Sequence, residues 1–171
     1  TQQGLPDVVI ANAGISIGVD TSVPEDLAVM AKVLTTNVMG MAATFGPFIT
    51  PMVARGSGTL VGIGSVAGIR GLPGHGAYCA SKAGLVNMTK AMAMEYVRQP
   101  IRINAVAPGG MMTNIATGMT FPESAEMDLV ARYSGLRGLV EVQDVADVIA
   151  MLASPAGRSY HGACINIDAG I

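Results

Sequence analysis

The alternation of short apolar runs with longer helix-like segments is the feature that most constrains the fold of this chain. The runs are rich in β-branched residues and end in glycine or proline, which is typical of buried strands that lead into turns. The predicted strands cover residues 7–14, 58–65, 101–110 and 162–170, and the predicted helices cover 23–56, 76–99 and 141–155. Apolar strands that alternate with helices indicate a parallel sheet covered on both faces. We therefore predict an α/β fold with a doubly wound parallel sheet, built as a single domain from residues 1–171.

The composition restricts the partners of the chain. Of the 171 residues, 50% are hydrophobic and only 13% are charged, and the net charge is -2. Soluble proteins usually carry roughly a quarter of charged residues. The shortage predicts either large subunit interfaces or a core that is covered by chain outside this sequence. The scattered lysines and arginines form no basic face, so we predict no nucleic-acid partner.

The cysteines and histidines give no sign of a disulfide framework or a metal centre. Cys79 and Cys164 are too few for a framework and lie among apolar residues, which indicates a reducing, cytoplasmic compartment. His75 and His161 have no partner at ligand spacing, so we expect no metal. The first residues lack the basic region and long apolar stretch of a secretory signal.

Residues 33–54 contain no charged side chain and reach the length of a membrane span. The segment also contains an asparagine, several threonines and glycines, Pro47 and Pro51, which a lipid-facing helix tolerates poorly. We predict a buried helix that ends around the prolines, and no membrane partner.

The residues that can carry chemistry cluster where the predicted strands end. Asn12-Ala13-Gly14 closes the first strand, Ser65 the second, and Pro108-Gly109 the third, while Tyr78 and Lys82 begin the helix after the second strand. In a sheet of this type, ligands bind beyond the carboxyl ends of the strands. The sequence therefore predicts one ligand site at this edge.

Tyr78 and Lys82 are four residues apart, so they lie on the same face of a helix. An ammonium about 4 Å from the phenol would favour the phenolate by up to roughly 4 kcal/mol at an effective dielectric near 20. We predict that this lowers the pKa of Tyr78 toward neutral pH, where general acid–base catalysis is most effective. Ser65 would then hydrogen-bond the reacting oxygen, and Asn37 could hold a water that links Lys82 to solvent. By itself, the pair is more often an ordinary first turn of a buried helix.

Together, these motifs resemble the short-chain dehydrogenase/reductase family. The matching motifs are NAG at 12–14, Asn37 in NVMG, Ser65 in GIGSVAG, YCASK at 78–82, PGGMMT at 108–113 and the closing GACINIDAG. The resemblance spans the chain and implies a Rossmann-like sheet. It also implies a homo-oligomer, dimer or tetramer, that moves a hydride between NAD or NADP and the carbonyl or alcohol carbon of a small molecule.

The resemblance also implies a role for each residue that carries it. The catalytic tetrad would be Asn37, Ser65, Tyr78 and Lys82. Tyr78 would be the general acid–base, and Lys82 would also bond the ribose next to the nicotinamide. Cofactor contacts would come from Asn12, Ala13, Gly14, Tyr78, Lys82, Pro108, Gly109 and Thr113.

The sequence departs from the family at its start. No G-x-x-x-G-x-G turn, which binds the pyrophosphate in the family, precedes Asp7, and the residue that selects NAD or NADP is absent too. The first predicted strand corresponds to the family's fourth. We interpret the sequence as a C-terminal portion and expect the 171-residue chain alone to bind neither cofactor usefully. A second interpretation is a shortened, catalytically silent protein that acts through oligomer contacts.

Residues 109–138 are irregular in pattern, with a short helix predicted within 122–133. Residues 109–127 fall where the family has a mobile substrate lid, and they contain four methionines. Flexible methionine side chains are typical of adaptable apolar pockets, and they suit packing against a neighbouring helix equally well. The segment does not identify the substrate.

Overall fold

Four parallel strands form the sheet at the centre of the molecule. The structure is a computed structural model that describes residues 4–133 and 135–171. The strands are β1 (Val8–Ala11), β2 (Thr59–Ile63), β3 (Arg102–Pro108) and β4 (Cys164–Ile167), paired in the order β1-β2-β3-β4. Val9 lies opposite Leu60, and Leu60 lies opposite Ile103. The predicted parallel sheet is confirmed.

Helices connect the strands, as the alternation predicts. They are α1 (Leu27–Leu34), α2 (Gly40–Arg55), α3 (Gly76–Glu95), α4 (Asn114–Thr117), α5 (Met127–Ala131) and α6 (Val142–Ala153). A single 3-10 turn, Pro24–Asp26, leads into α1, because proline is preset for the first turn of a helix. The short helix predicted within 122–133 is confirmed for Met127–Ala131, whereas α4 is not predicted by the sequence.

The sheet is covered on both faces, so the doubly wound arrangement is confirmed. On one face, Leu60 and Ile103 pack with Phe45 of α2 and Leu85 of α3. On the other face, side chains of β2 and β3 pack against α6. The pattern does not extend to β1, where Val9 is buried but the side chain of Ile10 is 43% exposed. Burial on both faces, which the apolar runs predict for the sheet, is therefore not found at Ile10 of β1.

The long helical run Pro24–Arg55 corrects another expectation. Pro47 and Pro51 lie inside α2, which ends four residues after Pro51 at Arg55, where Gly56 adopts a left-handed conformation. By length and composition alone, the run is long and apolar enough to cross a membrane. Only 17% of the residues in its most apolar window are buried inside the protein. The predicted burial is therefore wrong for most of this helix. The absence of a membrane partner stays a prediction.

Helix α3 also leaves one side uncovered. Its buried residues, Ala77, Tyr78, Ser81, Lys82, Leu85, Thr89 and Ala93, fall on a single face. Met94 near its end is 70% exposed. The burial of α3 on more than one side, which its apolar composition predicts, is not found in the single chain.

Candidate active site

A cavity of about 770 Å³ lies beyond the carboxyl ends of the strands. This volume is typical of small-molecule sites, which occupy about 300 to 1,000 Å³. Its walls include Asn12, Ala13, Gly14, Ser65, Tyr78, Lys82, Pro108, Gly109 and Thr113. The structure thus brings together all the predicted site residues except Asn37, which lies behind the cavity wall.

Ser65 is held by the turn that follows β2. Its backbone is extended, and its Oγ accepts a hydrogen bond from the Ala67 N–H at 3.1 Å, which caps the short 3-10 turn Val66–Gly68. This turn lies directly on α3, since a Cβ atom added to Gly68 would be 2.7 Å from the backbone of Lys82. The close approach, which only glycine permits, packs this turn against α3, and the Ser65 hydroxyl is near enough to the Tyr78 phenol to affect its pKa.

The pKa of Tyr78 is shifted in the direction opposite to the one predicted. The side chain is only 8% exposed, and this burial raises the pKa of the phenol above its usual value of 10.0, although the hydrogen bond to Ser65 opposes the shift. Burial outweighs any stabilisation of the phenolate because a charged oxygen loses more from desolvation than one hydrogen bond returns. Tyr78 is therefore a neutral phenol at pH 7, ready to donate a proton.

Lys82 is almost completely buried and has no carboxylate partner among the described residues. Its Nζ donates to the Ile63 carbonyl at 2.7 Å and lies 5.7 Å from the centroid of the Tyr78 ring. Burial lowers the pKa of Lys82 to about 8. The ammonium still predominates at pH 7, and two of its three N–H groups remain available to ligands in the cavity.

Asn37 lies in a widened turn of the long helix. Residues Thr35–Met39 form a π-helical turn, in which the Gly40 N–H donates to the Thr35 carbonyl five residues earlier. The Asn37 amide bonds both backbone groups of Ile15, with Oδ1 accepting from N at 2.8 Å and Nδ2 donating to O at 2.9 Å. Turns of this kind are frequent at functional sites. Here, the Asn37 side chain in this turn ties the helix to the segment that follows β1.

Ser81 is a site residue that the sequence analysis missed. Its buried hydroxyl accepts from Nδ2 of Asn37 at 2.9 Å and donates to the Tyr78 carbonyl at 2.7 Å. Both N–H groups of the Asn37 amide are therefore in use, and only Oδ1 has a free lone pair for the water that the sequence predicts. This oxygen lies 3.2 Å from the position of a Cβ at Gly14, and Nζ of Lys82 lies 3.4 Å from the same position. The water link stays a prediction.

Much of the cavity lining is apolar. We call Leu72, Met119, Phe121, Val130 and Tyr133 the apolar wall, and Ser65, Tyr78 and Lys82 the polar wall. The His75 ring packs against one residue of each wall, Phe121 and Tyr78. Phe121 packs edge-on against the His75 ring with centroids 4.7 Å apart, and His75 lies 6.5 Å from the Tyr78 ring in the same geometry. Tyr133 packs with the cluster that contains Tyr78.

His75 supports the apolar wall from behind. The side chain is fully buried, and its Nδ1 shares a 3.1 Å hydrogen bond with the Ser16 hydroxyl. Burial lowers the pKa of His75, and the nearby Thr120 backbone opposes that shift. The other ring nitrogen, Nε2, is buried and has no hydrogen-bond partner among the described residues. The histidine is thus neutral at pH 7 and belongs to the packing beneath Phe121.

Two side-chain hydrogen bonds hold residues 119–133, the segment that carries the apolar wall apart from Leu72. The Ser124 hydroxyl donates to the Asp20 carboxylate at 2.5 Å, and the Tyr133 hydroxyl donates to the Arg70 carbonyl. Hydrogen bonds from Ser124 and Ser22 lower the pKa of Asp20 to about 2. Burial raises the pKa of Tyr133 to about 12, so this hydroxyl also stays protonated.

The donors of the polar wall fit the nucleoside end of a nicotinamide cofactor. The Tyr78 hydroxyl and the free N–H groups of Lys82 open into the same cavity as residues 12–14 and 108–113. Hydroxyl and ammonium donors suit ribose hydroxyls, and exposed backbone suits a carboxamide. For a metal, the described ranges 4–133 and 135–171 contain no group of three or more His, Cys, Asp or Glu side chains that could bind one.

A parallel α/β sheet with a serine, a tyrosine and a buried lysine lining one cavity at its carboxyl edge defines a Rossmann-like protein with a Ser–Tyr–Lys site. A family model described as enoyl-(acyl carrier protein) reductase matches residues 1–171. The chain belongs to the short-chain dehydrogenase/reductase family of oxidoreductases.

Two curated relatives and one solved structure illustrate the similarity. The cis-4-hydroxycyclohexanecarboxylate dehydrogenase of Sinomonas cyclohexanicum is 34% identical, over 98% of this chain and 66% of the relative. The 3-oxoacyl-[acyl-carrier-protein] reductase FabG of Thermotoga maritima is also 34% identical, over 98% of this chain and 67% of the relative. A structure of 4-hydroxyisoleucine dehydrogenase with NADH and succinate is 28% identical with a TM-score of 0.84, over 99% of this chain and 69% of that one. The chain thus spans about two thirds of the length of these proteins.

Proposed function

We propose that the protein is an NAD- or NADP-dependent oxidoreductase that interconverts a carbonyl and an alcohol on a small molecule, with Tyr78 as the general acid–base. The observation that carries the proposal is the placement of Ser65, the neutral Tyr78 phenol and the Lys82 ammonium in one cavity, with Nζ of Lys82 5.7 Å from the centroid of the Tyr78 ring. The family membership and the NADH bound in the similar structure support the choice of cofactor.

The residues of the polar wall would act on the substrate oxygen. Ser65 and Tyr78 would hydrogen-bond the carbonyl oxygen and so polarise the carbon. The nicotinamide, when bound, supplies the hydride in reduction and accepts it in oxidation. As the carbonyl bond electrons move to oxygen, Tyr78 would give its proton to that oxygen, which leaves a phenolate. Lys82 would stabilise this phenolate, and a proton from solvent would restore the phenol.

Replacement of the phenol tests the proposal. In the polypeptide expressed from the complete reading frame that contains this chain, Tyr78→Phe should lower kcat for ketone reduction by at least about 100-fold, the usual contribution of a general acid. Tyr96→Phe is the matched control, since Tyr96 packs in the core cluster of α2 and α3, away from the cavity. Reduction by Tyr78→Phe at a rate within tenfold of the parent would exclude Tyr78 as the acid.

A second candidate function is that of a catalytically silent homo-oligomer. Leu27 at the start of α1 and Met39 at the end of the π turn are 64% and 60% exposed, and Met94 of α3 is 70% exposed, which favours a subunit interface. The same assay separates the two functions. A parent that reduces no ketone with either cofactor, but sediments as a dimer or tetramer, supports the silent protein. The oligomer and the cytoplasmic location both stay predictions.

A further inference from the structure

The charge distribution around the cavity limits what the site can bind. Of the described residues that line it, only Lys82 is charged. Its ammonium is on the polar wall, where its Nζ bonds the Ile63 carbonyl. The apolar wall contains four hydrocarbon or thioether side chains and one tyrosine. The hydroxyl of that tyrosine, Tyr133, is already bonded to the Arg70 carbonyl.

Part of the apolar wall lies close to Tyr78, since Tyr133 packs against the cluster that contains it. Phe121 and Tyr78 each pack edge-on against the His75 ring, and the Leu72 N–H bonds the sulfur of Cys79, the residue after Tyr78. Tyr133 is close enough to Tyr78 for Tyr78 to contribute to the raised pKa of the Tyr133 hydroxyl. A substrate whose oxygen is held by Ser65 and Tyr78 can therefore place a substituent against this wall, and Lys82 is the only charged residue among the described residues of the lining.

The arginines of this region lie elsewhere. Arg70 and Arg132 line a separate surface concavity of about 500 Å³ together with Asp128. The Arg70 side chain is exposed to solvent. Neither arginine lines the main cavity, so neither provides a buried cation for an anionic substituent.

We propose, resting on the function proposed above, that the substrate is an uncharged ketone or secondary alcohol whose substituent is apolar and packs against the apolar wall. A carboxylate in that position would lose its hydration without gaining a cation, which is among the most unfavourable events in a protein interior. This separates the chain from the relative named for a hydroxycyclohexanecarboxylate and from the structure that holds succinate.

A matched pair of ketones tests the substrate class. In 5-methyl-2-hexanone and 4-oxopentanoate, the same methyl ketone carries either an isopropyl group or a carboxylate of nearly the same shape. We expect 4-oxopentanoate to bind at least about 100-fold more weakly, because the carboxylate is left unpaired. Saturation-transfer NMR titrations of the protein, with and without NADH and NADPH, measure both dissociation constants.

A variant pair places a cation in the wall or outside it. Val130→Lys puts an ammonium into the apolar wall and should shift the preference toward 4-oxopentanoate by about tenfold or more. Met127→Lys adds the same charge to the same short helix, at a side chain that is 56% exposed and does not line the cavity, and should leave the preference unchanged. Circular dichroism shows whether each variant is folded. If Val130→Lys does not fold, the relative affinity of the parent protein for the two ketones tests the proposal by itself.

Three results overturn the proposal: equal binding of the two ketones by the parent protein, tighter binding of 4-oxopentanoate, and no binding of either. The criterion is binding and not turnover. The Tyr78→Phe assay therefore tests the chemistry separately, and the substrate class can fail while the acid–base assignment stands, or the reverse.

Discussion

The two walls of the cavity differ in how they are held. The polar wall is built on β2 and α3, and its hydrogen bonds to Ala67, Ile63 and Ser81 are partly or wholly buried. The apolar wall is carried largely by a segment whose helices have only 4 and 5 residues, and the hydrogen bonds that fix it, to Asp20 and Arg70, are exposed. Regions with exposed hydrogen bonds and few buried contacts open at low free energy. The groups proposed for proton transfer are thus fixed, while the surface proposed to contact the substituent can adapt.

The largest effect that distinguishes the walls is the destabilisation caused by the buried charge of Lys82. Its pKa falls from 10.5 to about 8 on folding. Between these values the unfolded chain binds more protons than the folded one, so this group makes stability rise with pH. Relative to Lys82→Met, the parent should gain on the order of 3 kcal/mol in unfolding free energy from pH 8 to pH 10.5.

Urea unfolding of both proteins at several pH values measures this difference. The comparison with Lys82→Met cancels the contributions of other titrating groups, including the raised pKa values of Tyr78 and Cys79, which act in the opposite direction. A difference between parent and variant that does not change with pH would mean that Lys82 is solvated in the folded protein.

An intermediate effect is expected from Ser81→Ala. The variant removes the acceptor of one Asn37 N–H inside the protein, which should cost about 1 to 3 kcal/mol of unfolding free energy. Hydrogen exchange of the Asn37 side-chain amide, followed by NMR, should be faster in the variant than in the parent.

Thr89→Val is the matched control for Ser81→Ala. Thr89 is also buried in α3, but its hydroxyl donates to the Leu85 carbonyl of its own helix. Its replacement should leave the exchange of the Asn37 amide unchanged. Equal exchange rates in the parent and Ser81→Ala would show that Ser81 does not hold this amide.

The smallest effect is expected at the tie of the apolar wall. Ser124→Ala removes the hydrogen bond to Asp20 at an exposed site, and KM for the ketone should rise by less than about fivefold, with kcat unchanged. Ser22→Ala removes a hydroxyl from the same carboxylate without affecting the wall, and KM should stay at the parent value. A change in kcat as large as that in KM would place this tie in the chemistry rather than in substrate binding.

Much of this arrangement could be predicted from the sequence because it depends on local patterns. Apolar runs ending in glycine mark β2, and parallel strands necessarily end at one edge, so Ser65, Tyr78 and Pro108 could be assigned to one cavity. The pKa of Tyr78 could not be predicted, since it depends on how deeply the tertiary structure buries the phenol. Neither could the role of Ser81, whose partner Asn37 is 44 residues away in the chain.

The π turn at Thr35–Met39 has a consequence for how this helix can change in length. One residue corresponds to about 100° around an α-helix, and a π turn contains one residue more than an α turn. The insertion lets α1 contact α3 while α2 packs against β1. Deletion of one residue from the turn would give an unbroken α-helix, but it would rotate either Val33 or Phe45 out of the interior. We therefore expect this part of the chain to tolerate substitutions far more readily than insertions or deletions.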